Sequence, residues 1–409
     1  MFTQVSYGKS INWLMFLIPA LLLTTNNVSI VFIALSIFIS IFYLYKNWDT
    51  LRFNKFDLIV TLCMSFYFLG AIPITIYDGT TARYFQGGIR LLLCLPIYFA
   101  LKTYLWSHKL SFKKYLELGV ITGSIGAFGL AYYQHFILKM PRVDGFLFSI
   151  NFGYLACALS FLAFTFSFQS RLKIPLLLSS LLCTLAVVFT YTRGAIFAIP
   201  LLLVFIVILN FKKTKKRYIV IGGLSLSLAI LAFYNSSSSF KSRMDYTTHE
   251  LALIASGKLG ESTSSGYRLQ YWHGAFEAFK ASPFIGLPYS QREELNHKLF
   301  LEGKISKGAS TITRGHAHSQ YFEMLAGNGL LGVISLLTIF ALPIIIFSLH
   351  YLKCNSHWAL SAAVFVSGFA IYGLTEVPLT ANLIGSFYGF MLAVFFAIVA
   401  SEKQSGVIS

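Results

Sequence analysis

Apolar residues run along this chain in blocks of about twenty, separated by short polar stretches. Twelve such blocks fall at about residues 11–25, 28–45, 58–77, 89–106, 115–133, 146–168, 174–191, 194–211, 218–234, 328–350, 358–375 and 380–400. Each can cross a hydrocarbon layer roughly 30 Å thick as a helix. Inside that layer no water is present to satisfy the backbone, so a helix is the expected spanning form. The period-two alternation of a membrane β-barrel is missing from these blocks. The first block follows Lys9, as the core of a signal peptide would, but no small-residue cleavage site follows it. Asn26-Asn27 leads straight into the next block, so the first is expected to be an anchor.

The pattern breaks once, between blocks nine and ten. Residues 235–327 are too polar to span, and a connection this long is usually functional. It opens on a polar, Ser-rich stretch, Asn235 to Ser239. Gly266 to Ala281 then reads as an amphipathic helix, with Leu269, Trp272, Phe276 and Phe279 expected on its apolar side and Ser282-Pro283 ending it. A second helix is expected to start near His318, with Phe322 and Leu325 on its apolar side. The expected organisation is therefore residues 1–234 as nine spans, 235–327 as an external loop domain, and 328–409 as three spans and a tail.

Composition agrees with a membrane protein: 56% of the residues are hydrophobic, 11% are charged, and mean hydropathy is +0.70. Soluble domains carry about 25% charged residues. Charge also orients the chain. With the N-terminus inside, the inner segments hold Lys9; Lys46, Arg52 and Lys55; Lys102, Lys109, Lys113 and Lys114; Arg171 and Lys173; the run Lys212 to Arg217; Lys353; and Lys403. The short outer loops keep only Arg83, Arg90, Lys139, Arg142 and Arg193. Under the positive-inside rule both termini are expected in the cytoplasm and 235–327 outside it. The net charge of +17 is then mainly membrane-surface charge, and its scatter over short loops argues against nucleic-acid binding. Cys63, Cys94, Cys157 and Cys183 lie in spans and Cys354 in an inner loop, which supports neither a disulfide framework nor a zinc site.

Candidate chemistry gathers on the outer side. Arg193 sits on the tight turn Tyr191-Thr192-Arg193-Gly194, Arg90 opens the fourth span, and Arg268 lies in the amphipathic loop helix. Any one of them could merely reach lipid headgroups. Together, planar guanidinium groups suit bidentate capture of a phosphate or diphosphate. The stretch Arg314-Gly315-His316-Ala317-His318 places two histidines at the end of a loop, just before a helix that enters the membrane. An imidazole is suited to general-base work because its ordinary pKa, about 6.5, lies near neutrality. A surface histidine without chemistry is the bland alternative. Neighbouring cysteine is absent and acids are sparse, so a metal is not expected. There is no DxD spacing and no phosphate-binding glycine loop. Carboxylates within spans are scarce, with Glu376 near a span end and Asp57 and Glu117 at inner edges, which argues against proton-coupled transport.

Three motifs carry a family resemblance: Tyr191-Thr192-Arg193-Gly194; Gly266-Tyr267-Arg268-Leu269 through Trp272 with Ser282-Pro283-Phe284 and Gly286; and His316-Ala317-His318-Ser319-Gln320 through Glu323 to Gly329-Leu330-Leu331-Gly332. In order, spacing and side of the membrane they resemble the O-antigen ligases of Gram-negative bacteria, within the wider O-antigen ligase and polymerase superfamily. The resemblance implies an all-α, GT-C-like glycosyltransferase of about 12 transmembrane helices with one large periplasmic loop, in the inner membrane. It implies an undecaprenyl-diphosphate-linked O-antigen as donor, lipid A core oligosaccharide as acceptor, and inverting transfer without metal or cofactor. It implies His318 as the base and Arg193 and Arg268 as the diphosphate partners; Arg90, Arg314 and His316 are expected, from the residues themselves, as further contacts to the diphosphate or the acceptor. Ser319 stands where some relatives have Asn after the histidine. An O-antigen polymerase and a protein O-oligosaccharyltransferase share this chemistry, and a transporter of lipid-linked sugars is the non-enzymatic alternative.

Overall fold

The structure is a computed structural model that describes residues 4–107, 112–211, 238–257, 264–311 and 315–404. Its described residues form helices and connections, with no strand among them. In chain order the α-helices are α1 (Gln4–Leu21), α2 (Val28–Lys46), α3 (Lys55–Leu69), α4 (Ile72–Asp78), α5 (Gln86–Leu93), α6 (Leu95–Ser107), α7 (Lys113–Tyr132), α8 (Ser149–Phe166), α9 (Lys173–Phe189) and α10 (Arg193–Leu209). They continue as α11 (Ser238–Ala255), α12 (Ser265–Ala281), α13 (Tyr289–Leu301), α14 (Lys307–Ser310), α15 (Gln320–Leu336), α16 (Leu342–Cys354), α17 (His357–Tyr372) and α18 (Asn382–Gln404).

Among the described residues, seven stretches are long and apolar enough to cross a membrane: Val28–Lys46, Lys55–Asp78, Arg83–Leu105, Lys113–Ile137, Ser149–Phe166, Gln320–Cys354 and Asn382–Lys403. Three shorter apolar helices accompany them, Lys173–Phe189, Arg193–Leu209 and His357–Tyr372. The first expected block is α1, and the ninth, 218–234, lies outside the described residues. The chain is an all-helical, multi-pass membrane protein.

It divides into two compact units. The first comprises Met1–Ile199, Ile334–Gly373 and Pro378–Ser409. Its centre is α18, 94% buried over its spanning window, against 28% for α2. Both helices are apolar all round, but Tyr388 of α18 packs on Phe365 and Phe369, whereas Val31 and Phe38 of α2 point outward, where lipid would cover them. Gly119 and Gly123 let the backbone of α7 lie directly on Phe16 and Pro19 of α1, the small-residue contact that membrane helices use in place of hydrophobic drive. Lys102, expected at the membrane surface, is instead buried: its Nζ donates to Asp57 at 2.6 Å and to the Arg52 carbonyl at 2.8 Å, and Tyr98 donates to the same carboxylate. A charge at that depth persists only with such a partner.

The second unit comprises Pro200–Val333 and Leu374–Val377. Helix α12 occupies the stretch expected to be an amphipathic helix, but the buried face differs from the expectation. Gly266, Gln270, Gly274, Ala275 and Ala278 are buried, while Phe276 is 43% exposed. Small residues win because they admit close neighbours, such as Asn296 of α13 against Gly274. Trp272 stacks on Phe322 of α15 at 5.0 Å. Helices α11 and α13 were not expected from the pattern. Glu250 of α11, 1% exposed, accepts from the backbone N–H of Ser264 (2.6 Å) and Ser265 (3.2 Å), so a carboxylate caps the N-terminus of α12. Ser238 and Ser239, expected in a linker, begin α11, and Asn235 to Ser237 lie outside the described residues.

Candidate active site

Helix α15 begins at Gln320, two residues after His318, so His318 lies in the approach to the helix rather than in it. Its φ is +47°, the left-handed region that costs a side-chain-bearing residue energy and recurs at functional sites. Three contacts hold this strained segment. The Ala317 N–H donates to Glu323 Oε2 at 2.8 Å, the His318 N–H donates to His316 Nδ1 at 3.2 Å, and the Gln320 N–H donates to the Glu376 carbonyl at 2.9 Å. Glu323 is itself clamped by Arg292 of α13 through two bonds of 2.8 and 2.9 Å.

Glu376 brings in the chemistry. Its Oε1 lies 2.9 Å from His318 Nδ1 and 3.7 Å from Arg268 Nη2, and its Oε2 lies 4.0 Å from His316 Nε2. Burial opposes ionisation of this carboxyl, but the His318 hydrogen bond and charge, with His316 and Arg268 behind them, outweigh it and hold it below the ordinary carboxylate range. An ionised carboxylate can only accept, so Nδ1 is the nitrogen through which His318 donates to Glu376, and whenever the ring is neutral Nε2 keeps its lone pair. The Tyr271 ring stacks on the imidazole at 5.7 Å. His318 remains about one-third exposed, so the ring is held yet reachable.

The described residues thus unite His318, His316 and Arg268 in one cluster, all within the second unit. Arg193 and Arg90 belong to the first unit. Arg193 opens α10 after Tyr191, whose φ is +48°. The turn is anchored by Thr192 Oγ1 on the Ser149 carbonyl and by Arg142 Nε on the Thr190 carbonyl. The Arg90 guanidinium donates to the Gln86 and Thr380 carbonyls and to Asn382 Oδ1, so it ties α5 to the start of α18. Arg314 lies outside the described residues.

Glu376 was not expected as a site residue, because it stands 58 positions from its partner. The signal for it was its solitude: an acid near an outer span end in a sequence with scarce intramembrane carboxylates. It also supplies the carboxylate that the sparse acids near the histidines seemed to deny a cation. Ligand atoms of His316, His318 and Glu376 lie within 4.8 Å of one another, a set chemically able to hold a divalent ion.

Residues 178–337 match the family model described as O-antigen ligase, a stretch that includes Arg193, Arg268, His316 and His318. The chain is 23% identical over 316 residues to an uncharacterized protein of Haemophilus influenzae, covering 76% of this chain and 77% of that one. It is 26% identical over 212 residues to an O-antigen ligase of Escherichia coli, covering 51% of this chain and 48% of that one. The chain therefore matches about half the length of that ligase.

Proposed function

Taking the O-antigen ligase domain at residues 178–337 as premise, which places the chain in the O-antigen ligase superfamily, we propose that it transfers O-antigen from undecaprenyl diphosphate to a sugar hydroxyl of lipid A core. The reaction takes place at the periplasmic face of the inner membrane. The observation that carries this reading is the 2.9 Å contact between Glu376 and His318 Nδ1. It leaves Nε2 to remove the proton from the acceptor hydroxyl as the oxygen attacks the anomeric carbon. The bond from that carbon to the diphosphate oxygen breaks, and undecaprenyl diphosphate departs with the electron pair. Attack opposite the leaving group inverts the anomeric centre. Arg268 neutralises the charge that builds on the departing diphosphate, and the resemblance gives the same task to Arg193. Loss of one such charge partner costs on the order of 10²–10³ in rate. The energy comes from the diphosphate linkage.

His318→Ala should leave the protein in the membrane but lipid A core bare, with lipid-linked O-antigen accumulating. His316→Ala should retain part of the activity. A lipopolysaccharide gel reads both outcomes. Core capped by a single repeat in the His318 variant would mean polymerase chemistry, and a normal ladder would remove His318 as base. Purified protein should keep its activity in EDTA. Strict dependence on added Mg²⁺ or Mn²⁺ would instead assign His316, His318 and Glu376 to a cation.

A further inference from the structure

Glu323 lies in the first turn of α15, and its carboxylate faces two ways. Oε1 accepts from Arg292 Nη1 at 2.8 Å. Oε2 accepts from Arg292 Nη2 at 2.9 Å and also from the Ala317 N–H at 2.8 Å. These residues belong to the second unit, as do His318 and Glu376. We propose that Glu323 and Arg292 are positioning residues for the base, acting on the His318 imidazole through the Ala317 backbone, an inference that rests on the transfer reaction above.

The chain of contacts is short. Ala317 is 3% exposed, so water does not readily replace an acceptor lost from its N–H. The next residue is His318, held at a φ of +47° that a side-chain-bearing residue disfavours. Such a conformation persists only while its surroundings fix it. Of the two bonds nearest to it, the one from Ala317 to Glu323 is 2.8 Å and the one from the His318 N–H to His316 Nδ1 is 3.2 Å. Without the Glu323 oxygen the peptide before Ala317 is free to turn, and φ of His318 can relax. That swings the Cβ and carries Nδ1 away from Glu376 Oε1, now 2.9 Å distant. The imidazole then loses its aim and the partner that selects its tautomer. Glu376 acts on the ring itself; Glu323 acts on the backbone that presents it.

Stability alone does not account for the pair. The Arg292 and Glu323 side chains are 11% and 12% exposed. Replacing an ion pair so buried by apolar side chains of similar volume is often neutral or stabilising. An apolar contact could therefore hold α13 against α15 as well, but it could not accept the Ala317 N–H. Arg292 has a complementary task. Its planar fork gives one hydrogen bond to each oxygen and so fixes the rotation of the carboxylate, which keeps Oε2 beside Ala317. The guanidinium in turn lies over the Tyr289 ring at 5.5 Å.

Double variants of the full-length chain separate the acceptor from the ion pair. Arg292→Met/Glu323→Gln removes both charges but keeps a carbonyl oxygen for Ala317. Arg292→Met/Glu323→Leu removes the charges and the oxygen at similar volume. Neither leaves a buried charge unpaired, so both should fold, as a melt in detergent checks. The Leu variant should have a kcat about 10- to 100-fold below that of the Gln variant, the scale of loss when a reacting group is displaced by about 1 Å, with donor and acceptor KM unchanged. Nitrogen-15 signals of the His318 ring, assigned by their absence from His318→Ala, report the base without turnover. At a pH where the ring is neutral, wild type and the Gln variant should hold the proton on Nδ1, and the Leu variant should show both tautomers. Arg292→Lys keeps the charge but not the fork, so its kcat should fall and its tautomers should mix in part. Equal kcat in the two folded double variants would overturn the proposal, as would a lower kcat in the Leu variant with the proton still on Nδ1. Wild-type kcat and an unmixed Nδ1 tautomer in Arg292→Lys would overturn the part given to Arg292. Wild-type protein that transfers nothing, yet holds the proton on Nδ1 and loses that hold in the Leu variant, would defeat the proposed function and leave the positioning standing.

Discussion

An imidazole serves as a base only while one ring nitrogen keeps its lone pair, and at His318 the Glu376 carboxylate decides which one. Glu376→Gln keeps the shape but removes the charge that steadies the imidazolium formed as the proton arrives. The amide can also donate to Nδ1 and favour the unproductive tautomer. The variant should therefore lose kcat by about 10- to 100-fold, part of the 10²–10⁴ that a positioned base supplies, with the acceptor KM little changed. Wild-type kcat in Glu376→Gln would reduce the contact to packing. The same carboxyl gives a pH signature. Its folded pKa is depressed, so its contribution to stability is present above the unfolded value, about 4.3, and is lost as pH falls through the lower folded value. Thermal unfolding in detergent should show the wild type losing more stability than Glu376→Gln across that acid window. His316, His318 and Arg268 were legible in the sequence because each stands in a short local motif. Glu376 was not, since a contact between residues 58 apart leaves no local periodicity.

The turn that follows α12 and the membrane-entering helix α15 are joined through backbone, and two glycines make the joint. The Leu287 N–H donates to the Ala326 carbonyl at 2.8 Å, and the Leu330 N–H donates to the Pro283 carbonyl at 2.8 Å. Gly286 has φ +83° and Gly329 has φ +58°, the latter breaking the helical geometry of α15 with ψ −138°. A Cβ on Gly286 would strike the Gly327–Asn328 backbone, and one on Gly329 would strike Pro283 and Phe284. Gly329→Ala should therefore combine the cost of the left-handed backbone, about 1–3 kcal/mol, with a clash that only backbone movement relieves. Gly303 is the control: its φ is +71°, but nothing lies within 4 Å of a Cβ there, so Gly303→Ala carries the conformational cost alone. The melting temperature should fall further for Gly329→Ala than for Gly303→Ala, and equal falls would refute the clash. The Pro-Phe-x-Gly and Asn-Gly-Leu-Leu-Gly stretches were visible in the sequence, but their pairing was not, because two turns that exchange backbone hydrogen bonds need no side-chain pattern. Helix α13 escaped notice for a related reason: within it only Leu299 is buried, too little apolar surface to set a period. In α12 the expected aromatic stripe misled because the burial falls on glycines and alanines, which hydropathy hardly registers.

At the scale of the whole chain, membrane class was the most legible property, because long apolar blocks admit few other fates. Orientation rests on a subtler signal, the uneven sharing of Lys and Arg between the two sides. Burial of Lys102 against Asp57 removes one residue from that tally, since a paired internal cation is not a charge held at the cytoplasmic surface. The remaining bias still comes from Lys46, Arg52, Lys55, Lys113, Lys114, Arg171, Lys173 and the run Lys212 to Arg217 on the side assigned to the cytoplasm. The proposed chemistry requires the opposite side for His318, because finished O-antigen and lipid A core meet in the periplasm. Reporter fusions decide this directly. Gly303 sits in an open turn of the second unit, and Asn355 in the tight left-handed turn between α16 and α17. A phosphatase fused after Gly303 should be active and one fused after Asn355 inactive, with a cytoplasmic fluorescent reporter showing the reverse. Spans ten and eleven flank Asn355, so the pair of sites also checks that exactly one crossing separates them. A cytoplasmic signal at Gly303 would put the His318 cluster on the wrong side for its donor, and with it the proposed transfer would fall.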